Sequence, residues 1–589
     1  MNLVAAMLLA NACAFGGVLD NAWTKGTTDK NPLSCKPDEA DAWARYVPEF
    51  NRYDEELYTN AIPNSAAEAF LRENAPSFTC PDKDIERTYH FRWWTYRKHI
   101  KKSSDGGWVV TEFLPSVPWA GPENTINCAM GHHVREGRWL KDSSVTWEYL
   151  KFMLEKGRVN GPRAYACWPA VSLLDWLDVT GDVKRALALK PLVERNFAAW
   201  EEGWTMRPGR WLWWWPGSWY RIGRDDSGLF EITDNFEGTE MSLGGDGYRP
   251  LVNSAMYGEA MALVRLCRLA GEDDKAAMYA RKADELEKKI KSTLWNKDRD
   301  FFTTVRTDSA QSPVRELHGY APWYFGMSLD GYEKAWAPLV REDGFSAPFG
   351  LTFPERSTKG FTIAYEGHEC QWNGPSWPYA TSIALTALAR HLQGDGAKGL
   401  PEGAFAKLLS LYARQHRRTR EDGVVVPWID ENVNPFTSDW ISRTIILDTP
   451  EMKERFAKER GKDYNHSTFC DLVISGLVGF IPHADGTFDV KPLVPREWER
   501  FSLRNLHHCG HVVDIDYTRA TGLSVTVNGQ PYHRRPALPS TLMVRQLQNL
   551  VGRCDLTPPQ RAGVSPPYRI RDCFRAKRDR FRAVAALTR

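Results

Sequence analysis

The strongest constraint on the fold is a succession of stretches with helical periodicity in the middle of the chain. In each stretch apolar residues recur three and four positions apart, which is typical of an amphipathic helix. The stretches are 147–155, 168–177, 183–200, 254–269, 274–294, 332–340, 377–391, 405–415 and 468–480. Strand-like alternation is rare between them, so the pattern predicts an all-α body over residues 141–485.

These helical stretches arrive in sequential pairs, joined by long connections rich in glycine and aromatic residues. Connections longer than structural turns often gather at one end of a domain and form a site. The arrangement therefore favours an α/α toroid. An α-solenoid is the alternative, but the sequence shows no repeat of fixed period.

The two flanks of this body have a different pattern. Residues 21–140 mix short strand-like segments with turns, as in the alternation at 108–114. Residues 486–535 contain DVKPL, HVVDIDY and LSVTVNGQ, and the Asn-Gly pair in the last of these is typical of a hairpin turn. We predict a β-rich N-terminal flank and a small C-terminal β-sandwich packed on the helical body.

The first and last residues carry two further signals. Residues 1–20 open with a short apolar stretch and an A-x-A site, which predicts a secretory signal peptide and a secreted or periplasmic protein. Lipoprotein attachment at Cys13 is a weaker alternative. Residues 536–589 are basic, rich in Pro and Arg and without a hydrophobic period, which is typical of a disordered tail.

Charge and hydropathy limit the partners. A formal charge of +2, from 76 basic and 74 acidic residues, gives no electrostatic footprint for nucleic acid. No segment after the signal has the apolar length of a membrane span. Cysteines and histidines show no ligand cluster, so no metal site of that kind is predicted. The sequence carries no signal for the oligomeric state.

Tryptophan is abundant, with 25 residues in the chain. The flat apolar face of an indole suits the C–H face of a sugar, and its N–H suits the hydroxyl rim. Burial in a large helical core is the alternative for most single tryptophans.

The densest acidic cluster lies in the loop before the helix at 254. It contains Asp225, Asp226, Glu231, Asp234, Glu237 and Glu240. A carboxyl group in a pocket with aromatic walls has a raised pKa, as a general acid requires. A solvated acidic loop, or a structural calcium site, is the alternative.

A second candidate carboxylate is Glu431, in the segment WIDENVNP. If the helices close into a ring, the loops that carry Glu240 and Glu431 face each other across its centre. Two facing carboxyl groups are the equipment of a glycosidase. Taken alone, Glu431 is more typical of a surface residue beside a helix.

Several motifs occur in an order that resembles glycosidases near glycoside hydrolase family 63 and the mannosylglycerate hydrolases, with trehalases more distant. They are FRWWTYRKHI, GHHVREGRWLKD, EGTEMS, YRPLVNSAMYGEA, EGHECQWNGPSWPYATS, WIDENVNP and YNHSTFCDLVISGLVG. The resemblance implies an inverting hydrolase on an (α/α)6 toroid that uses two carboxylates and no cofactor. It maps the general acid to Glu240 and the base to Glu431. Because relatives commonly have another residue at Thr239, Glu237 and Asp234 stay alternatives for the acid.

The same motifs offer side chains that stack on or hydrogen-bond to a ligand. The predicted substrate-binding residues are Arg138, Trp139, Tyr248, Arg249, Trp372, Asn373, Trp377 and His466. A toroid closed at one end with aromatic walls favours a pocket, and therefore exo action on a short oligosaccharide or glycoside. Two other classes stay open: a non-catalytic carbohydrate-binding protein on the same barrel, and a polysaccharide lyase or phosphorylase on a related toroid.

Overall fold

The computed structural model describes most of the chain between residues 41 and 535. The described ranges are 41–156, 165–206, 220–364, 370–394, 400–441 and 458–535, together with residues 366, 368, 449, 450 and 454. The predicted signal peptide at 1–20 and the predicted tail at 536–589 lie outside them.

Helices dominate the described residues, as the periodicity predicts. The helices of eight residues or more are Ala42–Arg52, Ala67–Asn74, Lys83–His99, Met130–Gly137, Ser144–Glu155, Pro169–Thr180, Val183–Glu202, Pro250–Leu269, Asp273–Lys289, Pro378–Gln393 and Ala404–Gln415. Near 468–480 a short helix, Phe469–Asp471, continues into a π-helical turn at Leu472–Leu477. The predicted stretch at 332–340 is a 3₁₀ turn, Glu333–Trp336, followed by the short helix Ala337–Val340.

Contacts between helices run in a closed circuit. Each of the following elements contacts the next, and the last contacts the first: Lys83–His99, Ala404–Gln415, Pro378–Gln393, Ala321–Tyr324, Pro250–Leu269, Pro169–Thr180, Met130–Gly137 and Phe469–Asp471. The helix Asp273–Lys289 packs against Pro250–Leu269 from outside this series. The loops between the elements of the circuit carry the acidic segments identified in the sequence.

Local sequence explains where these helices begin and end. Pro169 and Pro250 stand in the first turns of their helices, where a missing N–H costs nothing. Gly181 ends the first of these helices with φ 68°, a left-handed conformation that favours glycine. The side chain of Asp82 caps Lys83–His99 by accepting a hydrogen bond from the Ile85 N–H at 3.1 Å.

The N-terminal flank differs from the β-rich prediction. Between residues 41 and 140 it contains four of the helices, whereas its strands, Ser77–Thr79, Ile100–Lys102 and Trp108–Val110, have three residues each. The helix Lys83–His99 is buried on every side over its last twelve residues, 88–99. A helix buried all round has no polar face, so it gives no amphipathic period by which to recognise it.

In the described residues the C-terminal segment supplies four strands of a five-stranded antiparallel sheet, and the N-terminal flank supplies the fifth. Their order is Ser77–Thr79, Arg500–His508, His511–Thr518, Gly522–Val527 and Gln530–Arg535. The predicted hairpin turn is confirmed: Asn528 and Gly529 both have positive φ, at 50° and 75°. A separate hairpin, Phe480–Pro482 with Phe488–Val490, contacts the sheet through the ring of His508.

The remaining strands are short pieces of the loops. They are Trp204–Met206, Tyr220–Arg224, Phe230–Ile232, Gly247–Tyr248, Trp295–Asn296, Phe301–Phe302, Val305–Arg306, Ser346–Ala347, Gly350–Leu351, Arg417–Thr419 and Val425–Pro427. Much of the tryptophan is core, because ten tryptophans are less than 2% exposed. Among the described helices, none combines the length and apolar character needed to cross a membrane.

Candidate active site

A cavity of about 240 Å³ lies where the loops of the helical circuit meet, and both predicted catalytic carboxylates line it. The described residues that line it are Glu112, Phe113, Trp119, Ile126, Cys128, Tyr165, Gly238, Glu240, His368, Cys370, Trp377, Glu431, Tyr464 and His466. Residues from distant parts of the chain thus meet at one site, whose lining combines aromatic rings with polar groups.

The loop before Pro250–Leu269 positions Glu240. A single helical turn, Asp234–Glu237, is capped by the hydroxyl of Thr233, which accepts a hydrogen bond from the Phe236 N–H at 3.2 Å. Gly238 then reverses the chain with φ 80°, and a Cβ there would lie 3.2 Å from both the Cys128 sulfur and the Tyr165 ring. Only a glycine fits both the conformation and the close approach.

The surroundings of Glu240 favour its protonated form. Burial, followed by the negative charges of Glu431 and Asp234, raises the pKa of Glu240 from 4.5 to about 8. Two hydrogen-bond donors oppose this shift: the backbone N–H of Glu240 itself, and the Trp372 indole N–H, which lies 3.3 Å from Oε2. The side chain is exposed only in part, and it lines the cavity. A carboxylic acid that keeps its proton at neutral pH is suited to act as a general acid.

Glu431 lies in the same cavity with two hydrogen-bond donors on one oxygen. The Tyr464 hydroxyl and the Cys370 thiol both donate to Oε1, each at 3.2 Å. The backbone next to Glu431 is fixed by the bridge between Val433 and Ser376. Glu431 is 5% exposed, so its carboxyl group is held in place and reaches solvent through the cavity.

The two alternative acids predicted from the sequence lie outside the cavity lining. Burial would raise the pKa of Glu237, but Arg249 at 2.6 Å and His318 outweigh it and lower that pKa to about 2. Burial and the charge of Asp246 raise the pKa of Asp234 to about 7. The raised pKa of Asp234 would suit a general acid, but Asp234 does not line the cavity, whereas Glu240 does.

Two of the predicted substrate-binding residues, Trp377 and His466, line the cavity, and a third, Trp372, packs behind Trp377. The ring of Trp377 lines it and stacks on Trp372 with centroids 4.1 Å apart. Trp372 lies behind Trp377, and its indole N–H is 3.3 Å from Glu240 Oε2. His466 lines the cavity, and its Nε2 lies 3.2 Å from Glu112 Oε1.

Arg138 and Trp139 are placed elsewhere, which corrects their predicted role. Arg138 pairs with Asp175 at 3.0 Å and with Asp471 at 2.8 Å, and the Trp139 indole N–H donates to Asp471 at 2.9 Å. Arg135 completes this buried network through the same two aspartates. Their polar groups connect helices and do not line the cavity.

Tyr248, Arg249 and Asn373 also point to partners away from the cavity. The Tyr248 hydroxyl donates to Asp225, and Arg249 is the cation paired with Glu237. The Asn373 amide donates to Glu366 at 2.6 Å. These three residues support the loops that carry the site, and none of them lines it.

The sequence analysis missed several polar residues of the cavity, which are Glu112, Tyr165, His368 and Tyr464. Glu112 follows the strand Trp108–Val110, and its Oε1 lies 3.0 Å from the Tyr464 hydroxyl, whose single proton can serve either Glu112 or Glu431. The usable signal was positional: Glu112 ends an apolar strand before a proline-rich loop, and Tyr464 belongs to the same YNHST motif as His466.

Possible metal ligands lie away from this cavity. In the described part of the chain, Glu194, Cys267 and Glu272 bring ligand atoms within 4.8 Å of one another. Lys190 lies among them, 2.9 Å from Glu194 and 2.7 Å from Glu272. The lysine already supplies the positive charge that a metal ion would bring.

Comparison with known proteins gives one family match. The model of the mannosylglycerate hydrolase MGH1-like glycoside hydrolase domain matches residues 122–467, which is more than half of the chain. The matched range includes Glu240 and Glu431, and it ends beside Tyr464 and His466.

The individual relatives have low sequence identity to this chain or are matched over only part of their own length. A periplasmic trehalase of Xanthomonas oryzae pv. oryzae (strain MAFF 311018) is 27% identical over 177 residues, which are 29% of this chain and 28% of the trehalase. A solved chain described as a sialidase is 33% identical with a TM-score of 0.74, covering 84% of this chain and 44% of its own length. The chain thus spans less than half the length of either protein.

A mannosylglycerate hydrolase from Thermus thermophilus, solved in complex with glucose, is 12% identical with a TM-score of 0.44. That match covers 66% of this chain and 99% of the hydrolase.

Proposed function

Since the chain belongs to the mannosylglycerate hydrolase MGH1-like glycoside hydrolase family, we propose that it hydrolyses a glycosidic bond with Glu240 as general acid and Glu431 as general base. The observation that carries this assignment is their meeting in one cavity, with Glu240 holding its proton up to a pH of about 8. The fold is proposed to be the (α/α)6 toroid of six hairpins with a small C-terminal β-sandwich. The closed circuit of helix contacts supports the toroid, and the hairpin Phe480–Pro482 with Phe488–Val490 that packs on the five-stranded sheet supports a second layer.

The proposed reaction uses the two carboxyl groups in complementary states. Glu240 gives its proton to the leaving oxygen as positive charge grows on the anomeric carbon. Glu431 accepts a proton from water, which attacks the opposite face of the sugar and inverts the configuration. The Tyr464 hydroxyl and the Cys370 thiol, each 3.2 Å from Glu431 Oε1, help to hold the carboxylate in place for this role. An inverting pair requires about 6.5–9.5 Å between the carboxyl groups to admit that water.

The two carboxyl groups and water provide every proton transfer of this reaction, so the proposal needs neither a metal nor an organic cofactor. The size of the cavity supports exo action, since it has room for one sugar ring rather than a long chain. The proposed substrate is a short oligosaccharide or a glycoside, with Trp377 as a stacking wall.

The test is proton NMR of the first-formed product from a panel of aryl and natural glycosides. We expect the wild type to release a single terminal sugar of inverted configuration, and Glu240→Gln and Glu431→Gln to lose turnover. Release of a retained anomer would reject the inverting mechanism. A folded wild type that turns over no glycoside would favour the carbohydrate-binding alternative.

The proposed location is the periplasm or the exterior of the cell. The apolar segment at residues 1–20 supports it, as does the likeness to a trehalase described as periplasmic. Fractionation of a Gram-negative host that expresses the full chain, with mass spectrometry of its N-terminus, is expected to find a shortened protein outside the cytoplasm. A full-length cytoplasmic protein would contradict this location.

A further inference from the structure

The buried helix Lys83–His99 contains the motif FRWWTYRKHI, to which the proposed reaction gives no role. Its last two residues contact Asp463, which directly precedes Tyr464 of the cavity. His99 Nε2 lies 2.6 Å from the Asp463 carbonyl oxygen, and Lys98 Nζ lies 2.6 Å from Asp463 Oδ2. The helix supplies none of the described residues that line the cavity, so it acts on the site through Asp463.

Lys98 is a buried cation between two carboxylates. Its side chain is 3% exposed, and its Nζ lies 2.9 Å from Asp54 Oδ2 as well as 2.6 Å from Asp463 Oδ2. Asp54 follows the helix Ala42–Arg52, so the lysine joins the N-terminal flank to the segment that holds Asp463. Hydrogen bonds between charged groups are short and strong, and in the interior they fix the groups that they join.

The backbone at Asp463 needs such support. Its φ is 62°, a left-handed conformation that a residue with a side chain keeps only where its surroundings impose it. Its N–H donates to the carbonyl oxygen of Ile429, two residues before Glu431, at 2.9 Å. The next residue is Tyr464, whose hydroxyl lies 3.2 Å from Glu431 Oε1. Asp463 therefore connects the segment that carries Tyr464 with the segment that carries Glu431.

We propose that Lys98 is a positioning residue for the reaction: its ion pair with Asp463 fixes the backbone that brings Tyr464 to Glu431. The inference rests on the proposed function, because it takes Glu431 as the general base. A misplacement of about 1 Å in a catalytic group costs on the order of 10² in rate. Turnover is therefore expected to depend on a lysine that lies outside the cavity.

The experiment is a double-mutant cycle of Lys98→Met and Tyr464→Phe on a glycoside that the wild type turns over. We expect each single variant to lower kcat at least about tenfold and to leave KM within about threefold. Because Lys98 acts through Tyr464, the double variant should lose at most about threefold beyond the larger single loss. Losses that multiply, or a folded Lys98→Met variant with the kcat of the wild type, would overturn the proposal.

Lys190→Met is the matched control. Lys190 is 4% exposed and also lies between two carboxylates, at 2.9 Å from Glu194 and 2.7 Å from Glu272, away from the cavity. It is expected to lower stability and to keep kcat, since no cavity residue depends on it. Equal losses of kcat in Lys190→Met and Lys98→Met would show a general cost of removing a buried lysine, and would overturn the proposal.

Variants of Asp463 keep the proposal testable if Lys98→Met does not fold, because Lys98 then stays paired with Asp54. Asp463→Asn keeps an oxygen that accepts from Lys98 and a side chain that tolerates a positive φ, so kcat is expected within about threefold of the wild type. Asp463→Ala removes the acceptor and should lower kcat at least about tenfold. A folded Asp463→Ala variant with the kcat of the wild type would overturn the proposal.

Crystal structures of the wild type and of Lys98→Met, or of Asp463→Ala in its place, give a readout that needs no turnover. We expect the Tyr464 hydroxyl to lie beyond about 3.5 Å from Glu431 Oε1 in the variant. A displaced Tyr464 in a protein that turns over no glycoside would keep the role of Lys98 in holding Tyr464 and reject hydrolysis. An unmoved Tyr464 would overturn this inference and leave the hydrolase proposal intact.

Discussion

Glu237 and Glu240 lie three residues apart on one loop, and their pKa values move in opposite directions. Glu237 is buried against Arg249 and His318, and its pKa falls to about 2. Glu240 lines the cavity beside Glu431, and its pKa rises to about 8. Both carboxyl groups are removed from bulk water, so removal from water alone does not determine the shift. The partners make the difference: Arg249 and His318 outweigh burial at Glu237 and keep it ionised, whereas at Glu240 burial prevails and the charges of Glu431 and Asp234 add to it.

The difference assigns separate tasks to the two residues. The ion pair of Glu237 with Arg249 fixes the loop that ends in the helix Pro250–Leu269, and the Glu237 carboxylate also accepts a hydrogen bond from the Val252 N–H at 3.2 Å. Glu240, which lines the cavity, is available to act in catalysis. One substitution should therefore damage turnover, and the other should damage folding.

The largest expected effect is on turnover in Glu240→Gln. The amide cannot donate a proton to the leaving oxygen in the way an acid does, so kcat for a natural glycoside should fall by roughly 10² to 10⁴. Steady-state kinetics measures the loss, and circular dichroism checks that the variant is folded. A folded variant with kcat within a few-fold of the wild type would remove Glu240 from the reaction.

The second effect is on stability in Glu237→Gln. Arg249 would stay buried with only the more distant Glu316, at 3.5 Å, as its counter-charge, which costs about 3 kcal/mol of unfolding free energy. Denaturant unfolding measures the loss. The double variant Glu237→Leu with Arg249→Met removes both charges, and it is expected to recover most of the stability. A Glu237→Gln variant as stable as the wild type would show that the ion pair does not support the loop.

The third effect is the pH dependence of stability. Because the pKa of Glu240 is raised from 4.5 to about 8, its contribution is complete below pH 4.5 and is lost as pH rises through 8. Glu237 has the opposite sign: its contribution is present above pH 4.5 and is lost as pH falls through about 2. Between pH 5 and 8.5 the wild type should lose stability on the order of 4 kcal/mol relative to Glu240→Gln.

Calorimetric unfolding of both proteins at several pH values measures this difference. Burial also raises the pKa of Glu259 to about 8, but that residue is present in both proteins and its effect cancels. Parallel stability curves for the two proteins would contradict the raised pKa of Glu240.

The smallest effect is expected from Trp372→Phe. The indole N–H at 3.3 Å from Glu240 Oε2 favours the ionised carboxylate, so its removal should raise the pKa of Glu240 by a fraction of a unit. The wild-type kcat/KM should fall as pH rises through about 8, and the variant should show the same fall at slightly higher pH. A phenyl ring can still stack on Trp377. A fall that moves to lower pH would contradict the role given to this hydrogen bond.

Much of the fold was accessible from sequence, because amphipathic helices record their buried face as a period. The helix Val183–Glu202 and the hairpin at Asn528 were predicted nearly to the residue. The helix Lys83–His99 escaped detection, since a helix buried on all sides has no polar face. The pairing of Ser77–Thr79 with Arg500–His508 joins residues too far apart in sequence for any local pattern to show.

The site, like the fold, was only partly accessible from sequence. Ordered motifs indicated Glu240 and Glu431, but no sequence pattern shows whether a charged residue has a buried partner. Arg138 therefore resembled a ligand-binding residue, although Asp175 and Asp471 already pair with it. Glu112 was missed for the converse reason, because its partners Tyr464 and His466 follow it by more than 350 positions.

The most direct test of the acid role of Glu240 is the dependence of Glu240→Ala on the leaving group. A 2,4-dinitrophenyl glycoside needs little protonation on departure, whereas an alkyl glycoside of the same sugar needs a full proton. If Glu240 is the acid, kcat for the alkyl glycoside falls by roughly 10² to 10⁴ and that for the dinitrophenyl glycoside by less than about tenfold. Equal losses for both substrates would show that Glu240 does not protonate the leaving group.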